Sequence, residues 1–158
     1  MNKVLVAYFS ATGTTEAIAK KLAHAIGADT FKISPAVPYT KADLNWQDKT
    51  SRSSIETADK KSRPEIDGKV QNIDQYDTIF VGFPIWWYVA PHIINTFLEQ
   101  YDLTGKKIIP FATSGSSGMG RTNDALKVSA PGAVLLEGKR FARSASESEI
   151  REWAEKLV

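Results

Sequence analysis

A chain of 158 residues with 42% hydrophobic and 24% charged residues has the balance of a folded globule with a substantial core, not of a disordered or fibrous chain. It contains no cysteine, which excludes a disulfide framework, a thiolate metal site and a cysteine nucleophile. The formal net charge of +2 is spread as interleaved acids and bases without a basic patch, so nucleic acid is not an expected partner.

The first segment, "MNKVLVAYFS", has a short apolar run and no small-residue cleavage pattern, and is predicted as a strand over 4–9 rather than a secretory signal. No stretch is apolar for long enough to span a bilayer, and the cytoplasm is the expected compartment. Ile18, Leu22 and Ile26 then repeat every four residues with Lys20 and Lys21 off the stripe, and Gly27 supplies a stop, which predicts a first helix. "DTFKI" at 29–33 is a weaker strand. Residues 34–72 form a long connection of mixed charge without linker composition, read as an insertion with a helix from about Trp46 to Lys61.

Further along, strands are predicted for "TIFVGF" at 78–83, "KIIPFAT" at 107–113 and "AVLLEG" at 133–138. Their apolarity is continuous rather than alternating, as in strands buried on both faces. "APHIINTFLEQY" from Ala90 reads as a helix, and the closing "SESEIREWAEKLV" has Ser146 and Glu149 in capping-box spacing with Ile150, Trp153 and Leu157 on one face. Five strands alternating with helices predict an α/β fold: a single doubly wound, three-layer domain over 1–158, with ligands in the crevice beyond the carboxyl ends of the strands.

Three loops fall at that edge. "SATGTT" offers the hydroxyls of Ser10, Thr12, Thr14 and Thr15 around Gly13, where the first strand ends and the first helix begins. Unpaired N–H groups and the helix dipole favour an anion there. The loop lacks the Lys of a nucleoside-triphosphate loop and the spacing of a dinucleotide fingerprint. Neutral donors alone suit a terminal monophosphate that is bound and kept; a Ser/Thr-rich helix cap explains the loop alone about as well. After the third strand comes "FPIWWYVAP", whose adjacent Trp86, Trp87 and Tyr88 cannot all enter one core, so at least one is expected to face solvent or a flat ligand. After the fourth comes "ATSGSSGMGR", too rich in glycine and serine for a core and able to bring backbone groups to the polar edge of a ring.

In order and position these loops, over nearly the whole chain, resemble the three flavin-binding loops of flavodoxins, and "DLNWQDKTSRSSIE" is similar to the segment after strand two in one bacterial branch of that family. The resemblance implies a five-stranded parallel sheet in order 2-1-3-4-5, non-covalent FMN, and one- or two-electron chemistry. By it, Ser10, Thr12, Gly13, Thr14 and Thr15 would hold the phosphate, Pro84, Ile85, Trp86 and Trp87 would flank the isoalloxazine, and Thr113, Ser114, Gly115 and Gly118 would meet its edge.

Two departures bear on the role. Flavodoxins usually cover the second flavin face with an aromatic from the loop after strand four, where this chain has only Met119; they are also usually strongly acidic, and this chain is slightly basic. The leading expectation is an electron carrier between redox protein partners, a reductase and an acceptor. The rival is an FMN-dependent NAD(P)H or quinone reductase whose open flavin face takes a small quinone-like substrate. A domain that binds phosphate but has lost its flavin is a third reading, disfavoured by the aromatic loop. The loops expected beside the ring contain no acid and Arg121 follows the second, so the anion of the reduced flavin is expected to be less disfavoured than in acidic carriers. His24 and His92 are read as surface or capping residues, Trp46 and Arg52 as packing of the insertion on the sheet edge, and Trp153 as core; no metal site is expected.

Overall fold

The apolar runs become the strands of one parallel sheet because their alternate side chains find cover on opposite faces. In the computed structural model, which describes residues 3–86, 89–114, 118–119 and 122–158, β1 (Lys3–Tyr8) has β2 (Asp29–Lys32) on one side and β5 (Tyr76–Pro84) on the other. Next to β5 lies β6 (Lys107–Thr113), and the last position is shared by β7 (Val134–Leu135) and β8 (Lys139–Phe141), all parallel. Read by position, the order is 2-1-3-4-5.

Each strand feeds two cores. Val6, Phe80, Ile109 and Phe111 point to the face where Ile18 and Leu22 of α1 (Thr14–Ile26) meet Ile150 and Ala154 of α5 (Glu147–Glu155). Leu5, Ala7, Ile79 and Val81 point to the other, against Ile93 and Phe97 of α3 (His92–Glu99) and Leu126 of α4 (Thr122–Lys127). Helices on both faces make the doubly wound, three-layer arrangement. Ser146 caps α5 as its spacing predicts, accepting the Glu149 N–H at 3.1 Å, and Trp153 meets the rings of Phe80 and Phe141 edge-on at 5.6 and 5.3 Å.

The fifth strand departs from the predicted 133–138: it breaks and resumes at Lys139. Lys106 and Ile108 present their carbonyls to this strand, accepting from Val134 N and Leu136 N at 2.8 and 2.9 Å. Pro110 is next in that row and has no N–H to give, so the ladder lapses and an extra residue is absorbed. Gly138 fills the gap, where a Cβ would lie 2.4 Å from the Pro110 carbonyl oxygen.

The long connection folds back on itself. Short antiparallel strands β3 (Ser34–Pro35) and β4 (Ile66–Asp67) bracket it, and its helix α2 covers only Arg52–Ala58 instead of the predicted 46–61. Before α2, Asn45 Oδ1 takes the Gln47 N–H and Asp48 Oδ1 takes the N–H and hydroxyl of Thr50. Such local bonds compete with a helix, which therefore starts at the Ser51 cap. Among the described residues no helix is long and apolar enough to cross a membrane, and no cluster of side chains could hold a metal ion.

Candidate functional site

The hydroxyl loop sits where β1 hands over to α1. Gly13, at φ 93°, is the left-handed residue that turns the chain into the helix, a conformation that carries little cost only without a Cβ. Ser10 Oγ accepts the N–H groups of Gly13 and Glu16 at 3.0 and 3.1 Å, which fixes the loop and leaves its one proton to donate. The N–H groups of Thr14 and Thr15, the first two of α1, meet no acceptor among the described residues. Glu16, beside them, pairs with Lys20 at 3.0 Å and Lys32 at 3.4 Å, which offsets part of its charge. The Lys20 hydrogen bond, chiefly, holds its carboxyl below the usual range.

Beneath the loop, the buried hydroxyls of Thr15 and Thr113 bond each other at 2.7 Å. The Thr15 hydroxyl therefore ties α1 to the end of β6 while its N–H stays at the helix start. Ile85 N donates to Thr113 O at 3.3 Å, joining the ends of β5 and β6. Ser114 is gripped by Arg140 of β8, whose Nε donates to Oγ at 3.1 Å and Nη2 to the carbonyl at 2.7 Å.

Thr12, Thr14, Pro84, Thr113 and Ser114 open onto one crevice of about 810 Å³ at the carboxyl edge of the sheet. Ala142, Arg143 and Ser144, which belong to no motif in the sequence, complete its wall. The available signal was topological: every loop that follows a strand of a parallel sheet reaches this edge. The Ala145 N–H bonds the Ala142 carbonyl at 3.0 Å, so Arg143 and Ser144 occupy the centre of a turn.

Trp86 is half-buried, not stacked out in solvent. Its ring meets Phe9 edge-on at 5.8 Å and Tyr39 at 5.5 Å. The Arg52 guanidinium lies 3.9 Å from the Tyr39 ring centre and pairs with Glu56 at 2.8 Å, and the Tyr39 hydroxyl donates to Glu56. Burial first, then the Glu56 bond, pushes the Tyr39 phenol well above its usual range. Tyr39 thus joins the insertion to the aromatic loop, and Arg52 holds Tyr39 and Glu56 together within the insertion. Trp46 stays exposed and lines a second hollow with Ala58 and Val89. Trp86 and Val89 exchange backbone hydrogen bonds at 2.9 and 3.2 Å. Trp87 and Tyr88, like Gly115 and Arg121, lie outside the described residues.

A family model for Flavodoxin matches residues 3–157. The chain belongs to the flavodoxin family. It is 50% identical to a Bacteroides eggerthii protein described provisionally as a flavoprotein, whose crystal structure superposes with a TM-score of 0.92 over 99% of this chain and 98% of that one. A Bacteroides uniformis protein described in the same terms is 49% identical over 98% of both chains, also at 0.92. A Lactobacillus acidophilus flavoprotein crystallised in complex with FMN shares the fold at a TM-score of 0.76 and 23% identity, over 98% of this chain and 99% of that one. No curated protein matches the chain.

Two further positions bear on how this flavodoxin-family crevice is lined. Gly118 is exposed, and Met119 is partly buried against the core, where its Cε approaches the space beside Gly138. Of the histidines, His24 is exposed and bonds Glu147 at 2.8 Å, while His92 opens α3 and lies 2.6 Å from Ser62 Oγ.

Proposed function

We propose that this protein binds FMN non-covalently in the crevice at the carboxyl edge of the sheet and carries electrons between redox protein partners in the cytoplasm. The observation that carries the reading is the chemistry of the loop: two unmatched N–H groups at the start of α1 beside the hydroxyls of Ser10, Thr12 and Thr14. No cation stands within the loop. Such a donor set fits a bound phosphate monoester and gives no means of transferring it.

Bound flavin would supply one- and two-electron chemistry, and the protein supplies binding, orientation and exclusion of water. Ser10, Thr12, Gly13, Thr14 and Thr15 hold the phosphate, the last through its N–H. Pro84, Ile85, Trp86 and Trp87 flank the ring. Trp86 is held in place by Phe9 and Tyr39, so its orientation is set before a ligand arrives. Thr113, Ser114, Gly115 and Gly118 meet the ring edge, with Ser114 fixed by Arg140.

The test is a fluorescence titration of the purified protein with FMN and with riboflavin. Preference for FMN is expected, and equal affinity removes the phosphate assignment. A second reading, an NAD(P)H or quinone reductase, is favoured by one observation: Met119, the residue nearest in kind to a ring cover in the loop after β6, packs against the core. Unaided oxidation of NADPH by the FMN-loaded protein would select the reductase, and reduction only through a separate reductase would select the carrier.

A further inference from the structure

We propose that Arg143 supplies the countercharge for the flavin phosphate and so sets the selectivity for FMN over uncharged riboflavin; this rests on the FMN reading above. The hydroxyl loop offers the phosphate only neutral donors, which leaves a dianion without a charge partner. The lysines around the loop are already committed. Lys20 and Lys32 pair with Glu16, and Lys21 Nζ donates to the Ala145 carbonyl at 2.9 Å.

The arginines among the described residues divide in the same way. Arg52, Arg63 and Arg151 are paired with carboxylates, and Arg140 grips Ser114. Arg143 has neither hydrogen bond nor ion pair among the described residues, and it lines the same crevice as Thr12 and Thr14. It is also presented by a fixed support. Phe141 and Ala145 on either side of its turn are buried, the turn is closed by the Ala145 to Ala142 bond, and the Lys21 bond to Ala145 ties the turn to α1 itself. A guanidinium on that turn shares the crevice with Thr12 and Thr14 at the helix start that would bind the phosphate, within the kind of role arginine fills for phosphate oxygens. Ser144, its neighbour in the turn, adds a hydroxyl without a partner among the described residues.

The experiment titrates FMN and riboflavin into wild-type protein, R143Q and R143K, at low and high salt. The expected result is that R143Q weakens FMN by roughly three- to tenfold, the scale of one charge-assisted contact at a partly exposed site, with riboflavin unchanged. R143K should recover part of the loss, and the salt dependence of FMN binding should shrink in R143Q. Wild-type preference for FMN that persists undiminished in R143Q overturns the role of Arg143 and leaves the FMN reading standing. An equal loss of both ligands in R143Q also overturns it, since the residue would then act only on structure. Equal affinity of wild-type protein for the two ligands overturns the FMN reading and this inference together.

Discussion

Thr15 and Thr113 share one buried hydrogen bond of 2.7 Å that joins the first turn of α1 to the last residue of β6. Through it the phosphate-type loop and the loop after β6 are held in one relative position, although 98 residues separate the pair. Replacing Thr113 with Val leaves the Thr15 hydroxyl buried and unmatched, at an expected cost of about 1–3 kcal/mol in urea unfolding. The double variant T15V/T113V should recover much of that loss, because no orphaned hydroxyl remains. Strictly additive losses in the double-mutant cycle would show the bond to be irrelevant.

Replacing Trp86 with Ala should weaken FMN binding by about 1–3 kcal/mol, on the scale of a planar ring stacked on an aromatic side chain. It should also lower stability, since the ring packs against Phe9 and Tyr39. Trp86→Phe separates the effects by retaining most of the packing. If W86A unfolds earlier in urea yet binds FMN as tightly as the wild type, Trp86 belongs to the core alone.

Folded His92 titrates below 6.5, because burial foremost and the Arg63 charge next disfavour its protonated form. The unfolded chain therefore binds this proton at a higher pH than the folded one. Stability from His92 is fully present above its unfolded value and declines as pH falls below 6.5 through the folded value. Urea midpoints from about pH 8 to about pH 5 should show that decline in wild-type protein and a shallower one in H92Q. Parallel pH profiles for the two proteins would contradict the assignment.

Gly138→Ala should destabilise by about 1–3 kcal/mol, because the added methyl meets the backbone carbonyl of Pro110, which cannot swing aside as a side chain could. The urea midpoint should fall with an unchanged slope. An unaltered midpoint would mean that the gap between β7 and β8 is wider than the structure places it.

The described residues lining the crevice include no carboxylate and one guanidinium, and Asp43 and Asp48 of the insertion are not among them. An added electron on the bound flavin should therefore be less disfavoured than in strongly acidic flavodoxins, giving a higher second-electron potential. Each kcal/mol is worth roughly 40 mV for a one-electron step, so R143E should lower that potential by tens of millivolts. Potentiometry that finds it unchanged in R143E would rule out control by this charge.

Much was legible in the residues themselves. Continuous apolar runs such as Val4–Phe9 can be covered only on both faces, and the stripe Ile18, Leu22, Ile26 admits only a helix packed on one of them, so the doubly wound sheet follows from local pattern. The Ser146 cap and the Gly13 turn are likewise local, because each bonds or bends within a few residues of itself. Tertiary structure decided what depends on neighbours remote in sequence. Pro110 breaks the strand opposite it, which no pattern within 133–141 reveals. Trp86 is turned into a cluster with Phe9 and Tyr39 rather than left facing solvent, because the insertion brings Tyr39, itself held by Arg52, against it. Thr15 and Arg143 look alike in sequence as polar loop residues. Only packing separates them, burying one hydroxyl against Thr113 and leaving the other side chain at the crevice, since desolvation and partnership are properties of the assembled surface.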